Sequence, residues 1–246
     1  MFSSEKQPED EMPTYTIEPG QRTAAKVAGL LFVLTMSLAM FTELFLRDPL
    51  LVRGDAEQTA RNIVASERLF RVAVVNQVII AAADMILLLA LYVVLKPVNR
   101  NLALLAAFWQ ASMCVMLTLV AFTDFAALSL LNGGDYLRVF DPKELHALAR
   151  FFIFLHHPGG QIGGVFFGLG SAVFAWLWLR SRYVPRILAV LGIVGSLALT
   201  IGILLIFIFP TLAAPLSLAY WLPMFFFEVI LGFWLLVKGI RVPVVA

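Results

Sequence analysis

Long apolar runs alternate with short polar breaks along almost the whole chain. Runs at about 24–45, 72–95, 102–124, 160–180, 186–209 and 216–237 each approach or exceed the ~20 apolar residues that cross a bilayer. Lipid offers the backbone no hydrogen-bond partners, so each run predicts a closed helix. The runs are continuous rather than alternating, which excludes a membrane β-barrel. The pattern predicts an all-α fold, a polytopic membrane helix bundle with six transmembrane helices.

Two amphipathic segments lie between the runs. Gly54-Asp55-Ala56-Glu57-Gln58 reads as a helix start, with Asp55 as cap and Gln58 returning the bond. The helix it starts carries Ala60, Ile63 and Val64 on one side and Arg61, Asn62 and Arg68 elsewhere. Asp141-Pro142-Lys143-Glu144 repeats the design, with proline in the first turn and Glu144 completing the box. Its stripe is Leu145, Leu148, Phe152 and Leu155, with His146, Arg150 and His157 on the wetter side. Both segments suit helices lying at the outer interface. A polar break, His156-His157-Pro158-Gly159-Gly160-Gln161, then separates the second from the run Ile162–Leu179.

Composition agrees with the pattern. The chain is 61% hydrophobic and 14% charged, where a soluble domain carries about 25% charged. A mean hydropathy of +0.91 over this length cannot fold as one soluble core. The net charge of +2 gives no reason to expect nucleic acid. Cys114 is the one cysteine and lies inside an apolar run, so an intrachain disulfide or a cysteine-based metal site is excluded. Residues 1–22 are acidic and proline-rich, which predicts a mobile tail ahead of a single transmembrane domain, 23–242. The acidic start does not read as a secretory signal.

Six spans place both termini on one side, with Arg22, Lys26, Lys96, Arg100, Arg180, Arg182, Arg186, Lys238 and Arg241. The other side holds Arg47, Arg53, Arg61, Arg68, Arg71, Arg138, Lys143 and Arg150, mixed with about as many acids. Short basic turns decide orientation, so both termini are expected in the cytoplasm of a bacterial inner membrane.

The turn Lys96-Pro97-Val98-Asn99-Arg100-Asn101, within residues 91–106, resembles a known family. So do Gly54-Asp55 with Thr59-Ala60-Arg61-Asn62-Ile63, the Gly-rich fourth run, Tyr183-Val184-Pro185-Arg186-Ile187-Leu188 and Leu236-Val237-Lys238-Gly239. These are similar to the bacterial six-span family catalogued as domain of unknown function 4386. The resemblance implies a fold and a location but carries no activity.

Charged groups inside hydrocarbon cost ~2.5–3.5 kcal/mol each on insertion scales. Asp84 lies in mid-span two without a Lys or Arg within two turns, and Gln77 shares its face. Glu228 is similarly deep in span six, with Trp221 and Gly232 on its face. For both, a proton- or solute-binding role and a carboxylic acid hydrogen-bonded between helices stand side by side. Glu43 has Arg47 at i+4, and Asp124 falls where span three exits and shares a face with Gln110. Both read as paired or solvated interfacial acids. His156 continues the inward stripe, and proton carrier, metal ligand and helix-end bond to freed carbonyls stay open for it. His157 reads as structural. Asn76 and Gln161 complete an expected outward-opening polar funnel with Glu43, Asp124 and His156, ending on Asp84 and Glu228.

Gly160, Gly164, Gly168 and Ala172 form a small-residue ladder, as do Gly192, Ser196 and Thr200. These faces predict close helix packing, or a homodimer through Gly160, Gly164, Gly168, Gly192 and Ser196. No phosphate loop, dinucleotide fingerprint, serine elbow or zinc helix is present, and no cofactor is expected. Three functions follow, in order of preference. The first is a proton- or cation-coupled transporter of a small solute, although residues 24–124 and 160–238 show no inverted repeat. The second is an accessory, sensing or scaffold subunit. The third is a metal-dependent hydrolase or transferase on lipid, with His156 and Asp124 or Glu43 as ligands.

Overall fold

The computed structural model describes residues 17–52, 54–216 and 219–241. The expected tail falls largely outside them, with residues 1–16, and so does Arg53. The described residues form eight α-helices joined by turns, with no strand. They are α1 (Pro19–Phe41), α2 (Ala56–Ala65), α3 (Glu67–Leu95), α4 (Arg100–Leu131), α5 (Pro142–Ser181), α6 (Arg186–Ile208), the single turn α7 (Ala213–Leu216) and α8 (Leu222–Val237).

Five stretches are long and apolar enough to cross a bilayer: Pro19–Leu50, α3, α4, α5 and α6. Their outer faces carry exposed Leu30, Phe45, Phe108, Phe122, Phe154 and Ile201, a continuous apolar coat that suits lipid and not water. α8 is apolar but has 16 residues, about 24 Å at 1.5 Å per residue. The run expected from 216 starts at Leu222 because Pro223 fixes the first turn and Pro210 and Pro215 break the chain before it.

α1 and α4 also depart from their expected bounds. α1 begins at Pro19, inside the expected tail. Gln21 accepts a hydrogen bond from the Glu18 backbone at 3.0 Å, and its Nε2 donates to the Val94 carbonyl at 3.0 Å, fixing the start of α1 on the end of α3. α4 runs seven residues past the expected exit at 124, until Asn132-Gly133-Gly134 stops it. Asp124 is therefore inside a helix, not at its end.

The largest correction concerns α5. The break at His156–Gln161 is helical, so the amphipathic segment from Asp141 and the run to Leu179 are one helix of 40 residues. Pro158 removes one backbone donor, but a proline is tolerated where a packed neighbour holds the helix. Here α4 lies so close that a Cβ on Gly159 would sit 2.7 Å from Val120. The second outer interfacial helix thus does not exist as a separate element. Its Asp141 cap and Glu144 box form as expected, but its buried stripe runs through Ala149 and Ile153, and Leu148 is exposed. That stripe is in register with His156, Gly160, Gly164 and Gly168, which sets the rotation of the whole helix. α2 is a separate helix. Asp55 caps it through the Gln58 backbone at 2.8 Å, while the Gln58 side chain turns to Asn62 instead of returning the bond.

In the bundle, α1 packs on α3, α3 on α4, α4 on α5, α5 on α6, α6 on α8, and α8 back on α1. Six helices thus close a ring. Small residues make each close approach. A Cβ on Gly168 would meet Thr200 Oγ1, one on Gly192 would meet the Phe227 ring, and one on Gly29 would meet the Gly232 carbonyl at 2.8 Å. Gly164 faces Ile203 and Ser196 is fully buried. Gly164, Gly168, Gly192 and Ser196 thus face neighbouring helices of the same chain, while Gly160 lines the central cavity. α2 packs outside the ring on α5, over a small second core that includes Ile63, Phe70, Leu128 and Ile153.

Candidate functional site

The ring encloses a cavity of about 370 Å³. Asp84 of α3, Glu228 of α8 and His156 of α5 all line it, as do Gln77, Gln161 and Glu43. His157 is exposed, as its place on the wetter side predicts, and also lines the cavity. The stripe's register places both histidines at the rim. Asn76 and Asp124 do not line the cavity. Asn76 donates to Thr42 Oγ1 at 3.3 Å, tying α3 to α1, and Asp124 stands behind His156.

The two deep carboxyls share one level. Asp84 lies about 18 Å along its helix from Lys96, and Glu228 about 15 Å from Lys238, at 1.5 Å per residue. Thr35 of α1 lines the cavity with them. Among the described residues no Lys, Arg or His forms an ion pair with either acid. Glu228 is 9% exposed and has no hydrogen-bond partner among them. The surrounding wall is mostly apolar and aromatic, with Gln110 and Ser171 bonded to each other at 2.9 Å across α4 and α5.

At the rim the arrangement is the opposite. After Phe41 the chain widens into a π-helical turn, Thr42–Arg47, and then a 3₁₀ turn, Asp48–Leu50. Turns of this kind recur at functional sites because they re-aim side chains. This one turns Arg47 inward, where it is 4% exposed. Arg47 Nη1 donates to Asp124 Oδ2 at 2.8 Å and contacts His156 Nδ1, and Nη2 donates to the Ile153 carbonyl at 3.4 Å. His156 Nδ1 lies 2.7 Å from the same Asp124 oxygen, and its Nε2 lies 3.4 Å from Glu43 Oε1. Glu43 Oε2 is 3.9 Å from Arg47 Nε. Two acids, one guanidinium and one imidazole therefore form a single network joining α1, α4 and α5. Asp124 Oδ1 is buried without a partner.

Arg47 is the functional residue the sequence did not single out beyond its pairing with Glu43. Its partners lie far away in the chain, and only its position just before Asp48-Pro49, at the end of a span, hinted at a turned-in side chain. Asp124 and His156 prove to be one pair rather than two candidates. No group of three or more His, Cys, Asp or Glu side chains among the described residues is arranged to hold a metal ion. A guanidinium stands where such an ion would need to sit.

A closed helix ring with an apolar coat and an internal cavity defines a multi-pass membrane helix-bundle protein. Within that class, residues 27–239 match the family described as "Domain of unknown function (DUF4386)", and the chain belongs to it. An "Uncharacterized protein" of Archaeoglobus fulgidus is similar, 24% identical over 167 residues that make up 68% of this chain and 83% of that one. No solved structure matches the chain.

Proposed function

We propose that the protein exchanges a small solute for protons or cations through the central cavity, with Asp84 and Glu228 as the exchanging groups. In this reading α8 is a sixth span, and both termini face the cytoplasm of a bacterial inner membrane, an orientation supported by the short basic turns at Lys96–Arg100 and Arg180–Arg186. The observation that carries it is that Asp84, Glu228 and His156 line one cavity. Deep acids without basic partners, facing a cavity, are the usual mark of an ion or substrate path. The rim network of Glu43, Arg47, Asp124 and His156 is the entrance, held shut or open by ion pairing. The metal-dependent alternative loses its ground to Arg47, and the scaffold alternative loses the small-residue faces that α5, α6 and α8 use among themselves.

The test is proton flux. Purified protein in proteoliposomes with a trapped pH-sensitive dye is placed under a potassium–valinomycin potential, with and without a panel of amines, amino acids and sugars. Solute-dependent flux that falls at least tenfold in Asp84→Asn and Glu228→Gln is expected. Equal flux in wild type and both variants overturns the exchange role.

A further inference from the structure

We infer that the solute is a lipophilic organic monocation, an amine or onium ion whose charge is set against Asp84 and Glu228 and whose substituents lie on the aromatic wall. This rests on reading the cavity as the solute site. Its volume, about 370 Å³, is of the order that small-molecule sites have. The cavity that holds the acids is also lined by Phe32, Phe167, Phe174, Trp178, Tyr220 and Phe227. Aromatic faces attract a cation through the ring quadrupole, most strongly where water is excluded.

The charge balance points the same way. No Lys or Arg lines the cavity, and the nearest guanidinium, Arg47, is committed to Asp124 and Glu43. Glu228 is buried, faces the cavity and has no hydrogen-bond partner among the described residues. At the depth of Asp84 and Glu228 an anion would meet two acids with no Lys or Arg in the lining to receive it, the histidines standing at the rim. A neutral apolar guest would leave the Glu228 carboxyl unmatched against it. A monocation satisfies one carboxylate, and the other acid, at the same depth, can keep its proton. When the cation pairs with an acid that was protonated, one carboxylate–ammonium contact forms, one O–H bond breaks and one proton leaves. Glu43, His156 and His157 are the titratable groups at the mouth through which both must pass.

The experiment compares three probes of similar shape on the full chain in nanodiscs: tetraphenylphosphonium, tetraphenylborate and uncharged triphenylphosphine oxide. Equilibrium binding should be saturable for the phosphonium and at least tenfold weaker for the other two. Glu228→Gln and Asp84→Asn should each weaken the phosphonium at least tenfold and leave the oxide unchanged. Equal binding of cation and neutral probe, a preference for the borate, or phosphonium binding that both variants retain overturns the inference. The wild-type comparison needs no variant, so a variant that misfolds does not hide the answer. Run beside the proton-flux assay, the two readings separate. Phosphonium binding without proton movement keeps the ligand class and overturns exchange. Flux that depends on Asp84 and Glu228 without phosphonium binding does the reverse.

Discussion

Four acids in this bundle divide into two pairs with opposite surroundings. Glu43 and Asp124 stand against Arg47 and His156 within 2.7–3.9 Å, while Asp84 and Glu228 face a cavity with no cation beside them. At the rim the counter-charge is part of the chain, so those acids join helices. Deeper in, no Lys, Arg or His among the described residues forms an ion pair with either acid. Asp124, Asp84 and Glu228 all lie within the bundle, and the position of one arginine separates the paired acid from the other two.

The contrast can be tested by unbalancing each pair. Arg47→Met should have the largest effect, about 3–5 kcal/mol of lost stability, because it leaves Asp124 buried without its cation. Thermal or denaturant unfolding in detergent measures this, and a loss below about 1 kcal/mol would mean the network is not organised around Arg47. Removing both partners in Arg47→Met with Asp124→Leu should recover at least half of that loss, since an apolar pair of similar size has no uncompensated charge. If the double variant is as unstable as the sum of the two singles, the partners do not interact. His156→Gln keeps a polar side chain but loses one ring contact, and about 1–2 kcal/mol is expected by the same unfolding assay. Asp84→Asn and Glu228→Gln should change stability least, within about 1 kcal/mol, while abolishing exchange. A large loss of stability on neutralising either would move it into the structural class with Asp124.

Parts of this were legible in the chain. The five spanning stretches announce themselves because lipid demands continuous apolar runs, and the depth of Asp84 and Glu228 follows from counting residues to Lys96 and Lys238. Convergence was not legible, since nothing local says that α8 returns to α1. Asp124 reads as a span end only while residues 125–131, apolar apart from Ser129, are left out of its span, although Asn132-Gly133-Gly134 is the natural stop. The α5 break was misread because proline and two glycines end a helix in water, whereas packing against Val120 and Met116 of α4 carries this one through. Arg47 stayed hidden because its partners are brought to it by the fold and by a π turn with no sequence signature of its own.

The seam between α1 and α8, where Gly29 meets the Gly232 backbone, has a consequence for biogenesis. Glu228 sits one helical turn from that seam, on a helix translated after the rest of the ring. Until α8 arrives, the side of the cavity between α6 and α1 is open to the membrane interior, and lipid chains can occupy it. Assembly of a working cavity is therefore a late event on the ribosome, and a chain cut before α8 would be an open trough, not a smaller vessel.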